Sequence, residues 1–342
     1  MMKLGFYNYY DLYNKNRIFN PEVKAPLGDD LLYPFHYLAK KAREKGISVS
    51  TIDTEPLDSY DSIIFLDFPG NKNQYFVKLR RMNFENLYLF LFENEIIKPD
   101  NWVKENYNHF KKIFTWRDDI VDNKKIFKFF LPNKIPADLS FDLSHKEKFC
   151  CMIAGNKKSN KPLELYSERV RAIRWFEGNH PGSFDLYGKG WNYTFPSILA
   201  PLSAVLQPVF GRFSRRYPSY RGEIGSKRMI LGQYKFSLCY ENMEGIPGYI
   251  TEKIFDCFFA GCVPIYLGAS NVSDFIPEDT FIDKRKFPGY GDLFSYLLKL
   301  SEDDYLSYIH AISDYIRSGK ILPFGAEYFA NLIINELEQV LG

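Results

Sequence analysis

Residues 234–268 read YKFSLCYENMEGIPGYITEKIFDCFFAGCVPIYLG. The run YKFSLCYEN has the length and composition of a strand, and a loop bearing Gly245, Pro247 and Gly248 follows it. Tyr249-Ile250-Thr251-Glu252-Lys253 then opens a helix closed by Gly261, and CVPIYLG forms the next strand. Strand, turn, helix and second apolar strand in that order make a βαβ unit, whose strands are apolar because a parallel sheet is covered on both faces. The helix start places free N–H groups, a lysine and a carboxylate at the carboxyl end of a strand. Backbone donors and Lys253 suit a diphosphate, and Glu252 suits ribose hydroxyls. The same residues also read as an ordinary helix start, with Thr251 as cap and Glu252 complementing the dipole.

The rest of the chain continues this alternation. KLGFYNYY (3–10) reads as a strand and DDLLYPFHYLAKKAREKG (29–46) as a helix ended by Gly46. ISVSTID (47–53), DSIIFLDFP (61–69), NLYLFLFENE (86–95), KKIFTW (111–116) and KIFKFFLPN (125–133) read as further short strands. The pattern breaks over 133–148, after which KFCCMIAGN begins a fresh strand. PLELYSERVRAIRWFEG (162–178) is a helix with Pro162 near its first turn, and FDLYGKG (184–190) is a strand running into a glycine turn. The fold expected is α/β, with an amino-terminal domain over 1–147, a second domain over 148–323, and a helix over 324–342 packing back across the domains. A cleft between the halves would lie beyond the carboxyl ends of the strands.

Composition excludes several classes. The 342 residues suffice for about two domains. Lys and Arg number 44 against 42 Asp and Glu, a net charge of +2 that provides no basic stripe for nucleic acid. Five cysteines without a C-x-x-C pair argue against a disulfide framework and a structural zinc site, and point to a reducing compartment. The start, MMKLGFYNYYDLYNK, shows no secretory h-region, so a cytoplasmic location is expected. Neither G-x-G-x-x-G nor a P-loop is present: Gly188-Lys189-Gly190 lacks the third glycine, and Gly182 lies one residue too far away. The isolated acidic pairs Asp29-Asp30, Asp118-Asp119 and Asp303-Asp304 form no metal motif, so no metal site is assigned. Residues 190–211 carry no charge, three prolines there disfavour a spanning helix, and Arg212, Arg215, Arg216, Arg221, Lys227 and Arg228 follow beside a lone Glu223. Such a stretch over 195–228 can rest on the anionic inner face of a membrane, or form a surface loop with a solvated basic end.

The long run over 234–287 resembles the donor-site signature of glycosyltransferase family 10, the α-1,3/α-1,4-fucosyltransferases: YKF-x-L-x-FEN, then Y-[IV]-TEK, a helix and a [VI]-P-[IV] strand. Tyr240 stands where the family usually has Phe. LFLFENE (89–95) is similar to the strand ending in the family's general base, a role that aligns with Glu93; Glu95, on the same strand face, is the alternative. SERVRAIRWFE resembles the helix with a phosphate-contacting arginine, here Arg169, and FDLYGKG resembles the family's glycine turn at Gly188. The connection over 190–233 departs from the pattern.

The resemblance implies a GT-B architecture and an inverting transfer of L-fucose from GDP-β-L-fucose to a glycan hydroxyl, α-1,3 or α-1,4 to GlcNAc or Glc, in surface glycan synthesis, with no obligatory cofactor. It further implies that Tyr249 packs on or bonds the nucleotide, that Glu252 holds sugar hydroxyls, and that Arg169, Lys253 and the helix start at Thr251 stabilise the leaving diphosphate. Asn242 orients the loop or touches the donor. Another GDP-activated deoxyhexose, or a sugar- or nucleotide-binding protein without turnover, fits the same residues.

Overall fold

The computed structural model describes residues 2–25, 28–137, 139–191 and 217–341. Strands β1 (Met2–Asn8), β2 (Ile47–Thr51), β3 (Ser62–Leu66), β4 (Leu87–Leu91), β5 (Lys112–Thr115) and β6 (Ile126–Lys128) form one sheet in the order β2-β1-β3-β4-β5-β6. A second sheet joins β7 (Lys148–Ile153), β8 (Phe184–Tyr187), β9 (Tyr220–Gly222), β10 (Tyr234–Tyr240), β11 (Val263–Leu267) and β12 (Ile282–Asp283) in the order β12-β11-β10-β7-β8-β9. Every neighbouring pair in both sheets is parallel. Every residue of β3, β4 and β11 is buried, which explains their apolar runs, broken only by Ser62 at the start of β3. Chain order reverses between β1 and β3 in the first sheet and between β7 and β10 in the second, and such reversals open crevices at the carboxyl ends of strands.

Helices α1 (Tyr33–Glu44), α2 (Gln74–Arg81), α3 (Tyr166–Asn179), α4 (Lys227–Leu231), α5 (Glu252–Phe259), α6 (Tyr290–Lys299), α7 (Glu302–Arg317) and α8 (Ala326–Leu341) flank the sheets. Helix starts differ from the sequence reading in several places, among them α1, which begins at Tyr33 and not at Asp29. Helix α5 begins at Glu252 with Thr251 as cap, so Tyr249 and Ile250 belong to the preceding loop. Helix α3 begins at Tyr166, beyond a left-handed Leu163, so Pro162 lies outside it.

Helix α8 crosses back. Its Phe329, Ala330, Ile333, Ile334 and Leu337 share one core with Leu4, Phe6, Phe35, Leu38 and Phe90 of the first half. Met243, Ile246 and Tyr249, from the loop after β10, enter that same core. The loop after β5 is tied to this insertion: Asp118 N–H donates to the Pro247 carbonyl (3.2 Å), Asn271 donates to Asp118 (2.9 Å), and Lys128 pairs with Asp118. No helix among the described residues is long and apolar enough to cross a membrane. Residues 192–216, with Arg212, Arg215 and Arg216, lie outside the described residues.

Candidate active site

Between the halves lies a cleft of about 380 Å³. Asn8, Tyr10, Asp67 and Glu93 line its first-half side; Asn242, Thr251, Glu252, Lys253 and Lys227 line the other.

The second-half wall is organised from behind by Glu241, which has no exposed surface. Its carboxylate accepts from the Thr251 N–H (2.8 Å), the Thr251 hydroxyl (2.7 Å) and the Lys253 ammonium (3.0 Å). Thr251 caps α5, its hydroxyl accepting from the Lys253 N–H at 3.5 Å and from the Lys253 ammonium at 2.9 Å. One buried carboxylate thereby fixes both the helix start and the cation beside it. Burial alone would depress the Lys253 ammonium, but Glu241 and Glu252 outweigh it and hold the group above its ordinary range, so the charge persists in the cleft. Burial would likewise raise the Glu252 carboxyl, yet Lys253 and Lys227 hold it well below the usual carboxylate range. Lys227 reaches Asp256 at 2.6 Å and Glu252 at 3.3 Å. This corrects the solvated-basic-end reading for Lys227: its side chain turns into the cleft. Arg221 is also engaged, 2.6 Å from Asp185.

Arg169 and Gly188 are not part of the cleft lining, whereas Tyr249 lines it while almost fully buried. Arg169 lies behind the cleft, 4% exposed, where its Nη2 donates to the carbonyls of Tyr240 (2.8 Å) and Glu241 (2.7 Å) and to the Asn242 side chain (3.1 Å). It therefore fixes the end of β10, and with it Asn242 on the cleft wall. Gly188 is placed by packing: at φ 121°, an added Cβ would stand 2.1 Å from the Ala154 carbonyl oxygen, so only glycine lets the two chains approach. Tyr249 is buried. Its ring centroid is 4.5 Å from that of Trp116 and its hydroxyl accepts from Asn94 at 2.6 Å, so both its face and its polar tip are used in joining the halves.

On the opposite wall the chain leaves β4 and turns at Glu93. The Tyr10 hydroxyl donates to the Glu93 carboxylate at 2.7 Å. Burial, reinforced by the charge of Glu93, raises the Tyr10 phenol, which keeps it a donor. Below the turn, Asp67 accepts from the Phe92 (2.8 Å) and Glu93 (3.0 Å) N–H groups and from Asn101 (2.6 Å). Burial pushes the Asp67 carboxyl up to about 7, and Glu93 adds to that, against the three hydrogen bonds. Glu93 faces the cleft; Glu95 is not part of its lining and lies within electrostatic reach of Arg117. Tyr166 feels both Glu93 and Lys253, which brings the two walls within range of one ring.

The acidic pairs do structural work: Asp29 accepts from Ser226 and the N–H groups of Lys227 and Arg228, Asp30 pairs with Lys134, Asp119 with Arg117, and Asp304 closes the capping box of α7. Among the described residues no group of three His, Cys, Asp or Glu side chains is placed to hold a metal ion. Sequence reasoning missed Tyr10, Asp67, Glu241 and Asp256 as parts of the site. Glu241 alone carried a signal, as the central residue of the strand-ending Tyr240-Glu241-Asn242.

Residues 143–317, a little over half of the chain, match the family model for the glycosyltransferase family 10 (fucosyltransferase) C-terminal region. The chain belongs to glycosyltransferase family 10. Similar family members include the alpha-(1,3)-fucosyltransferase FucT of Helicobacter pylori, 36% identical over 106 residues that make up 31% of this chain and 20% of the relative. The 4-galactosyl-N-acetylglucosaminide 3-alpha-L-fucosyltransferase 9 of Mus musculus is 39% identical over 182 residues, 51% of this chain and 40% of that one. The alpha-(1,4)-fucosyltransferase of Arabidopsis thaliana is 44% identical over 73 residues, 21% and 18% of the two chains. The matched segments thus span from 18% to 40% of these relatives' lengths. A solved α1,3-fucosyltransferase superposes with a TM-score of 0.55 at 15% identity, covering 90% of this chain and 81% of that one. HepE of Anabaena, solved with UDP-glucose, gives 0.56 at 11% identity over 99% and 100% of the chains. These structures establish the shared architecture: the family 10 chain has the GT-B arrangement of two Rossmann-like halves that its sequence implies.

Proposed function

We propose that this family 10 chain is an inverting fucosyltransferase that moves L-fucose from GDP-β-L-fucose to a hydroxyl of a glycan acceptor, α-1,3 or α-1,4 to GlcNAc or Glc, in surface glycan synthesis. A solved α1,3-fucosyltransferase of the same fold is described with GDP-fucose, and the relatives' names carry the α-1,3 and α-1,4 linkages. The observation that carries the reading is one cleft with Glu93, held by Tyr10, on one wall and Lys253 with the capped start of α5 on the other. Transfer creates two charges to manage. The acceptor hydroxyl loses a proton, which Glu93 takes in the transition state, an effect worth about 10²–10⁴-fold. The departing GDP gains negative charge, which Lys253 and the positive dipole end of α5 meet in a preorganised site.

A donor-by-acceptor transfer screen, with product linkage read by NMR, tests the proposal. Transfer from GDP-fucose with an α-linked product is expected, and transfer only from another GDP-deoxyhexose would move the donor assignment. Glu93→Gln should lower turnover about 10²–10⁴-fold while GDP still binds; wild-type turnover removes Glu93 from the mechanism. The same proposal places the chain in the cytoplasm, with a peripheral contact to the anionic inner membrane face through residues 195–228. Unchanged vesicle binding after deletion of residues 195–210 would dispose of that contact.

A further inference from the structure

Asp67 stands one residue beyond β3 with a left-handed backbone, φ 67°. A left-handed backbone is costly for most side chains, and Asp and Asn tolerate it better than others because their short polar groups bond locally. Glycine would tolerate it as well but could not hold the Glu93 turn. That turn depends on a single oxygen: Oδ1 of Asp67 accepts the N–H groups of Phe92 (2.8 Å) and Glu93 (3.0 Å) and the Asn101 amide (2.6 Å). Asn101 also donates to the Glu93 carbonyl (3.1 Å) and accepts the Phe68 N–H (2.7 Å), while the Tyr107 hydroxyl holds its carbonyl (2.7 Å). Asp67 is 3% exposed and Asn101 fully buried, so the network is shielded from competing water.

We propose that Asp67 is a positioning residue for the transfer reaction: through Oδ1 it fastens the Phe92–Glu93 turn to the end of β3, so that the Glu93 carboxylate, steadied by Tyr10, meets the acceptor hydroxyl. This rests on the reading of Glu93 as the base. Asp67 acts through Glu93 and not on the substrate. The titratable groups that bear on it are Glu93 and Tyr10, and ionisation of Asp67 near 7 places a second negative charge beside the Glu93 turn.

The test compares Asp67→Ala, Asp67→Asn, Glu93→Gln and the double variant Asp67→Ala/Glu93→Gln in the full chain, by kcat and KM for both substrates, GDP affinity by calorimetry and the pH profile of kcat/KM. Asp67→Ala should lower kcat about 100-fold, the scale of an ångström's misplacement, with GDP affinity unchanged. Asp67→Asn, which keeps the acceptor oxygen and suits the backbone, should restore most of kcat and lose the inflection near pH 7. In the Glu93→Gln background Asp67→Ala should cost nothing further. Wild-type kcat in Asp67→Ala, or a further 100-fold loss in the double variant, overturns the proposal while leaving the base in place. Lost GDP binding in Asp67→Ala without rescue by asparagine assigns Asp67 a general structural role and also overturns it. Wild-type turnover in Glu93→Gln overturns the base reading, and this proposal with it.

Discussion

Glu241 shows how a residue without exposed surface governs a binding wall. Its carboxylate serves the Thr251 N–H, the Thr251 hydroxyl and the Lys253 ammonium. Glu241→Ala strands all three, and removing one partner of a buried pair costs about 3–5 kcal/mol. Because the Lys253 side chain is 23% exposed and keeps some water, the lower end, about 3 kcal/mol, is expected from denaturant unfolding, together with weaker GDP binding. A loss below about 1 kcal/mol would mean that water replaces the carboxylate freely. At Asp67 the effect depends on pH. Burial raises this carboxyl from 3.8 to about 7, so the folded state holds its proton more tightly than the unfolded chain does. That contribution favours the fold fully below 3.8 and is lost as pH rises through about 7. Asparagine carries no such dependence. The melting temperature of Asp67→Asn relative to wild type should therefore climb between pH 4 and 7 and level off above, and a difference independent of pH would show that Asp67 does not titrate there.

At the level of elements, the strands were legible because those buried on both faces must be largely apolar, as β4 and β11 are and as β3 is after Ser62. Helix α2 is short and amphipathic: only Phe76 and Leu79 of its eight residues are buried, and the mark of its start is Asn73, which accepts from the Tyr75 and Phe76 N–H groups. Strands β9 and β12, three and two residues long, are held by pairing more than by composition. The second-half wall of the cleft was readable because β10, its loop and α5 are contiguous. The first-half wall was only partly so: Glu93 follows its own strand, whereas Asp67 reaches it because β3 pairs with β4, bringing Leu66 beside Phe90. A sheet order of that kind is not written in any local stretch. The glycine turn after β8 gives a test at this scale. Gly188→Ala would force a Cβ to 2.1 Å from the Ala154 oxygen at a φ of 121°, so the β7 and β8 ends must separate. Loss of protection at Cys151–Ala154 by hydrogen exchange is expected, and an unchanged exchange pattern would mean that the turn absorbs the side chain elsewhere.

For the whole molecule, the division into halves does not follow the order of the chain. Helix α8 comes last in sequence yet packs on α1 and the first sheet, and Lys112 of β5 pairs with Glu336 at 2.6 Å. Four large apolar side chains, Phe329, Ile333, Ile334 and Leu337, are buried in that core. At about 1.5–3 kcal/mol each they contribute on the order of 6–12 kcal/mol, comparable with the whole stability of an ordinary domain, about 5–15 kcal/mol. A chain ending at Gly325 should therefore lose the first half while the second, whose cores draw on β7, β10, β11 and α5, persists. In hydrogen exchange, protection should vanish over Tyr33–Glu44 and Leu87–Leu91 and survive over Lys148–Ile153 and Val263–Leu267. Loss across both halves would instead show that the Tyr249–Trp116 and Asp118–Asn271 contacts fuse them into one cooperative unit. The survival of the second half matters for the site, since Glu241, Thr251 and Lys253 belong to it: the truncated chain should still bind GDP yet transfer no sugar, because Glu93 hangs from the sheet that α8 holds together.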